Sequence, residues 1–273
     1  MRKITGILIS ASVLSLFAFG TFRSGYAGEE LVVAGTGDSE ALLRVLAREF
    51  EKANTLTTIR VPDSIGTSGG IKAVMDGRCG LGRIARLLND KEKGYGLNDM
   101  TFAYSPVVFA VNPAFVGVDS LTTEQIVSIF SGGAVSWDNV GGVEGKIYVV
   151  QREAGDSSRT NLEKNLDGWK DIREPAGEVV YSSPEAIALI KKYKGTIGYC
   201  ALSMAKAEGL TVIKVDGIYP SAENIRNGSY KLVNPFGLVW KGKLDGLAKA
   251  FSDYILSPQG QKIVTENGAV PVN

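Results

Sequence analysis

The sequence predicts an α/β fold of two units, each a mostly parallel sheet flanked by helices. Three observations predict it. Apolar runs of strand length alternate with stretches whose apolar residues recur at helical spacing, the pattern of parallel strands joined by helices. Three strand exits carry turns of Gly with Ser, Thr or Asp, at 35–39, 66–70 and 155–158. A new apolar strand starts at Pro106, so a second strand-and-helix unit spans about 105–205 before the chain returns to the first. Residues 28–104 plus 206–273 then form domain one, and 105–205 an inserted domain two. One large α/β sheet fits the same pattern.

The chain opens with Met1-Arg2-Lys3, an apolar stretch from Ile4 to Phe22, and Gly25-Tyr26-Ala27. This reads as a secretory signal peptide, 1–27, cleaved after Ala27. A membrane anchor is the alternative, but the stretch is at the margin of spanning length and is broken by Ser and Gly. No cysteine near the cleavage site offers a lipid anchor. The expected product is a soluble periplasmic protein with no membrane insertion. Cleavage removes Arg2, Lys3 and Arg23 and no acid, which takes the net charge from +1 to −2. That balance gives no reason to bind nucleic acid.

In domain one, Leu31–Ala34 reads as a strand, followed by a helix carrying Leu42, Leu43, Leu46 and Phe50 up to Asn54. Thr57–Val61 is the second strand, ending in a turn through Gly70, with a short helix over 71–76. Cys79–Ile84 is the third strand, and Leu97–Tyr104 a poorly defined connector with a short strand near Thr101. In domain two, Pro106–Val111 is a strand, Thr122–Phe130 a helix and Ile147–Val150 a buried strand that feeds Arg152–Arg159. Ser183-Pro184 starts a helix to about Lys192, and Thr196–Tyr199 is a strand. Leu210–Val215 and Phe236–Trp240 are strands again, followed by helices over 244–256 and from Pro258.

The sequence has no histidine, which excludes Ser-His-Asp and Cys-His catalysis and disfavours a transition-metal site. No metal or cofactor is expected. Cys79 and Cys200 lie far apart; a disulfide and two separately buried thiols are both open.

The three turns carry the candidate binding residues: Thr36, Gly37, Asp38 and Ser39; Thr67, Ser68 and Gly69; Arg152, Asp156, Ser157, Ser158 and Arg159. Arg83 and Arg86 add charge where the third strand ends. Hydroxyls, helix N-termini and guanidinium groups together suit an anion. Ligands of such sheets bind outside the carboxyl ends of strands, so an anion held by all three turns would sit between the two units. None of the turns ends in the Gly-Lys-Ser/Thr of a phosphate-binding P-loop.

The chain resembles the solute-binding proteins of bacterial ABC phosphate uptake, in the phosphate-binding-protein-like family. The matching stretches are GTGDS (35–39), IGTSGGIK (65–72), FAYSPVVFAVNP (102–113), LTTEQIVSIFSG (121–132), REAGDSSR (152–159), GTIGY (195–199) and SPQGQKIV (257–264). The resemblance implies a two-domain periplasmic-binding-protein-like fold of type II, with phosphate or a related oxyanion dehydrated in the cleft. It implies a monomeric protein that passes its ligand to an ABC permease and is not an enzyme. It assigns hydroxyl donation to Ser39 and Thr67, the charged contact to Arg152, and the third turn to Asp156, Ser157 and Ser158. Two positions depart from the family. Its third turn usually reads Ser-Gly-Thr, and Ala85 stands where it commonly has the Asp that accepts the ligand's proton. Asp156 is then the first candidate for that role and Asp38 the second. The alternatives in class are a histidine-free phosphate-ester hydrolase and an anion-sensing domain.

Overall fold

The computed structural model describes residues 28–115 and 117–272, so the expected signal peptide lies outside the described residues. The chain begins β1 (Glu29–Gly35), α1 (Glu40–Ala53), β2 (Thr57–Arg60), α2 (Gly66–Met75), β3 (Leu81–Ile84) and α3 (Asp90–Lys93). Here the expected alternation is present. The turn expected over 66–70 is instead the start of α2: Gly66, at φ 71°, swings the chain into the helix.

β4 (Leu97–Val111) replaces the expected connector and separate strand with one strand of 15 residues. Its first half alternates poorly, which hid it from the periodicity; antiparallel pairing satisfies its backbone all the same. β5 (Ser120–Leu121), α4 (Thr123–Phe130), β6 (Tyr148–Arg152), α5 (Ser157–Asn165), β7 (Glu178–Val180), α6 (Ser183–Lys192) and β8 (Thr196–Ala201) follow. The chain ends with α7 (Leu202–Ala207), β9 (Thr211–Val215), α8 (Ala222–Arg226), β10 (Val233–Lys241), α9 (Gly246–Leu256), α10 (Pro258–Glu266) and β11 (Val270–Pro271).

The strands form a sheet in the order β2-β1-β3-β10-β4-β8-β6-β7. Both arms are parallel, as expected: β1 with β2 and β3, and β6 with β7 and β8. The middle is antiparallel, because β10 runs against β3 and β4, and β4 runs against β8. β4 carries the chain out of the first arm and β10 brings it back, so the two pair along their length. The arm β2-β1-β3 with α1, α2, α9 and α10 makes a first lobe; β8-β6-β7 with α4, α5 and α6 makes a second. β9, expected with the first unit, pairs with the far end of β4 and with β5, and Ile213 and Val215 join the second core. α7, just before it, packs Leu202, Met204 and Ala205 into the first core.

Two large cores lie on the sheet. One holds Leu42, Leu43, Leu46 and Phe50 of α1 with Phe102, Phe236, Phe251 and Val264. The other holds Phe109, Phe130, Trp137, Trp169, Tyr199 and Tyr230. Their fully buried aromatics supply the largest apolar areas removed from water, at about 25 cal/mol per Å2. Cys79 is half-buried, Cys200 is buried, and neither forms a disulfide. Among the described residues no helix is long and apolar enough to cross a membrane.

Candidate functional site

The N-termini of α1, α2 and α5 follow β1, β2 and β6, and their turns meet between the lobes. Ser39 stands at the N-cap of α1 without making a side-chain cap bond. Its Oγ is fully buried and has no hydrogen-bond partner among the described residues. The Asp156 carboxylate caps α5 by accepting from Arg159 N at 2.9 Å.

Polar contacts join the lobes directly. Thr67 Oγ1 and Ser157 Oγ lie 3.0 Å apart, and Thr67 Oγ1 also accepts from Ala85 N at 3.1 Å. The Asp38 carboxylate, 1% exposed, accepts from Ser158 Oγ at 3.1 Å and from Ser183 Oγ at 2.6 Å. Ser183 in turn accepts from Arg152 Nη1 at 2.5 Å. Arg152 also meets Asp156 at 3.1 Å and Glu153 at 3.0 Å. Its main-chain N–H donates to Tyr199 Oη at 3.0 Å.

The site carries several carboxylates around one central arginine, and its titration reflects that. Burial pushes Asp156 up to about 7, the neighbouring Asp38 adds to the rise, and Arg152 opposes it. Burial alone would lower Arg152, but Asp156, Asp38 and Glu153 outweigh it and raise its pKa.

The structure brings Asp38, Ser39, Thr67, Arg152, Asp156, Ser157 and Ser158 together as expected. Gly37 lines the same contact: a Cβ there would meet Pro184 Cδ at 2.9 Å, so a side chain would push α6 away. Thr36 is buried in the turn, where its Oγ1 accepts from Asp38 N at 3.3 Å.

Five other expected residues make contacts within the protein. Arg83 is fully buried and donates to Val33 O at 2.5 Å, Thr36 O at 2.6 Å and Pro62 O at 2.7 Å, and meets Glu40 at 3.2 Å. Burial lowers its pKa to about 10, with Glu40 opposing. Arg86 binds both oxygens of Glu92 at 2.8 Å, and it is Arg86 rather than the cleft that Ser68 meets, at 3.3 Å. Gly69 packs on Ile65 within α2. Arg159 donates to Glu163 at 2.9 Å and Arg152 O at 3.0 Å.

Sequence reasoning missed Ser183. Its signal was a fourth strand-turn-helix junction, Ser182-Ser183-Pro184, read only as a helix start. It also missed a polar floor under α5. There Asn161 Nδ2 donates to Val233 O at 2.8 Å and Asn234 Oδ1 at 2.9 Å, while Ser105 Oγ, Asn161 Oδ1 and Asn234 Nδ2 have no partner among the described residues.

Two lobes on one sheet, joined by crossing strands, with hydroxyls and an arginine buried between them, define a two-lobed binding protein. Residues 21–259 match the family description of the PBP superfamily domain. The phosphate-binding protein PstS of Bacillus subtilis is 31% identical over 251 residues, covering 90% of this chain and 82% of that one. PstS of Borreliella burgdorferi is 27% identical over 246 residues, covering 86% of this chain and 88% of that one. A candidate phosphate ABC transporter substrate-binding protein of Clostridium perfringens, solved with bound phosphate, superposes with a TM-score of 0.80. It is 28% identical and covers 89% of this chain and 100% of its own. The chain belongs to the PstS phosphate-binding protein family within the PBP superfamily. These relatives are named as binding and transport proteins, and the hydrolase alternative has no support among them.

Proposed function

We propose that this protein captures inorganic phosphate, or a related tetrahedral oxyanion, between its two lobes outside the cytoplasm and delivers it to an ABC permease as a monomer. The observation that carries the reading is the contact of Arg152 with the Ser183 hydroxyl, beside the Thr67–Ser157 and Ser158–Asp38 contacts that join the lobes. An arginine fork and helix-terminal hydroxyls are the donors a tetrahedral anion needs. The names of the relatives support phosphate as the anion and the permease as the recipient. We place the ligand-binding set at Ser39, Thr67, Arg152, Asp156, Ser157, Ser158 and Ser183, with Thr36 and Gly37 shaping the first turn and Asp38 facing the donors of the second lobe. The hinge of the two-domain reading is assigned to β4 and β10, the strands that cross between lobes.

Calorimetry of the purified protein against phosphate, sulfate, molybdate and a phosphonate tests the reading. Phosphate should bind most tightly. Equal binding of sulfate would make the protein a broader oxyanion binder, and binding of none of the four would overturn the reading.

A further inference from the structure

Asp38 stands in an unusual place for an oxyanion site. Its carboxylate is buried between the lobes, and both its oxygens accept hydroxyls of the second lobe, Ser158 and Ser183. Ser158 lies in the first turn of α5 and Ser183 in the first turn of α6, so the carboxylate faces two helix N-termini. Arg152 reaches it through the Ser183 hydroxyl. An incoming anion would look for the same hydroxyls, the same arginine and the same helix ends.

The Asp156 carboxylate is tied differently. One oxygen caps α5 and the other pairs with Arg152. Among the described residues, Asp38 alone spans the gap from the first lobe to the second as a charged acceptor. Its neighbour Ser39, by contrast, keeps a buried hydroxyl without a partner, which leaves a first-lobe donor ready for an external ligand.

We propose that Asp38 is an internal occupant of the oxyanion site and sets its affinity: the carboxylate holds the second-lobe donors and closes the lobes until an external anion displaces it. The inference rests on the reading of this cleft as an oxyanion site. Two consequences follow. The ligand-free protein is already compact. Its apparent affinity for phosphate is reduced by the fraction of molecules in which Asp38 fills the site. The internal carboxylate also raises the threshold for weakly held anions, since each must compete with a tethered group at high effective concentration.

The test uses Asp38→Asn, which keeps the shape and removes the charge. Phosphate affinity, measured by calorimetry, should rise at least about tenfold, as it must if less than about a tenth of the protein is free of the internal contact. Small-angle scattering without ligand should show a compact wild type and an expanded Asp38→Asn. Weaker phosphate binding by the variant would overturn the proposal, because it would make Asp38 an acceptor for the ligand's own proton. Unchanged affinity with unchanged scattering would overturn it as well. Should Asp38→Asn fail to fold, Ser183→Ala removes the shortest of the two hydroxyl contacts from the other lobe and must expand the ligand-free protein; a compact Ser183→Ala protein would sink the idea. If neither wild type nor Asp38→Asn binds phosphate, the phosphate reading fails, while ligand-free scattering still decides the role of Asp38.

Discussion

Arginines at comparable turns have opposite fates in this fold. Arg152 is held among acids and hydroxyls between the lobes, so Arg152→Ala should weaken oxyanion binding by about 2–5 kcal/mol with the fold retained, by calorimetry and circular dichroism. Arg83 instead ties three carbonyls of the first lobe and Glu40. Arg83→Met strips three buried carbonyls of their donor and leaves Glu40 with Arg44 alone, at 2.9 Å, and should cost about 3–5 kcal/mol in urea unfolding, with a much smaller effect on the affinity of the folded protein. Both arginines were visible in the sequence, but their directions were not. A residue at a strand end points to either face according to register, and Arg83 on β3 turns inward to Val33, Thr36, Glu40 and Pro62. Asp156 gives a pH signature. Its carboxyl is raised from the usual range to about 7, with burial the main cause. The native state then binds more protons than the unfolded chain between about pH 4 and about pH 7, so this group's contribution to stability falls as pH rises through that window and levels off above it. Asp156→Asn should flatten that slope in urea titrations at several pH values. An unaltered slope would show that Arg152 keeps the carboxylate charged throughout.

Helices and strands with clear apolar periodicity were legible. α1 lies within one residue of its expected end, and α6 starts at Ser183 as the Ser-Pro pair signals. Two elements were not. β4 pairs through its backbone, and backbone pairing leaves no mark on side-chain pattern. The glycines of 66–70 read as a turn, yet Gly69 and Gly70 lie inside α2, and Gly70 is where the helix approaches β1. A Cβ on Gly70 would lie 2.7 Å from Gly35 Cα and 2.8 Å from Ala34 O, both main-chain atoms that cannot yield. Gly70→Ala should therefore destabilise by about 1–3 kcal/mol, measured by thermal or urea unfolding, although alanine is the better helix former. A stabilised variant would mean that α2 shifts freely on the sheet.

The two lobes were legible as two units, and the strand exits alone pointed to the turns that meet between them. The seam was harder to read. β9 lies in sequence beside the returning chain but joins the far core, because a strand's partners are chosen by its apolar face rather than by its order. Since one sheet runs through both lobes, unfolding should be a single cooperative transition, with far-ultraviolet and tryptophan signals coinciding. Two separated transitions would show that the lobes melt independently. The far half of β4 makes the coupling strict. Val108 and Ala110 belong to one core, whereas Val107, Phe109 and Val111 belong to the other. One codon added between 107 and 111 should therefore turn every side chain on one side of it to the wrong face. Length changes that this gene survives should fall in its loops, whereas point changes in the strand can be accepted one face at a time.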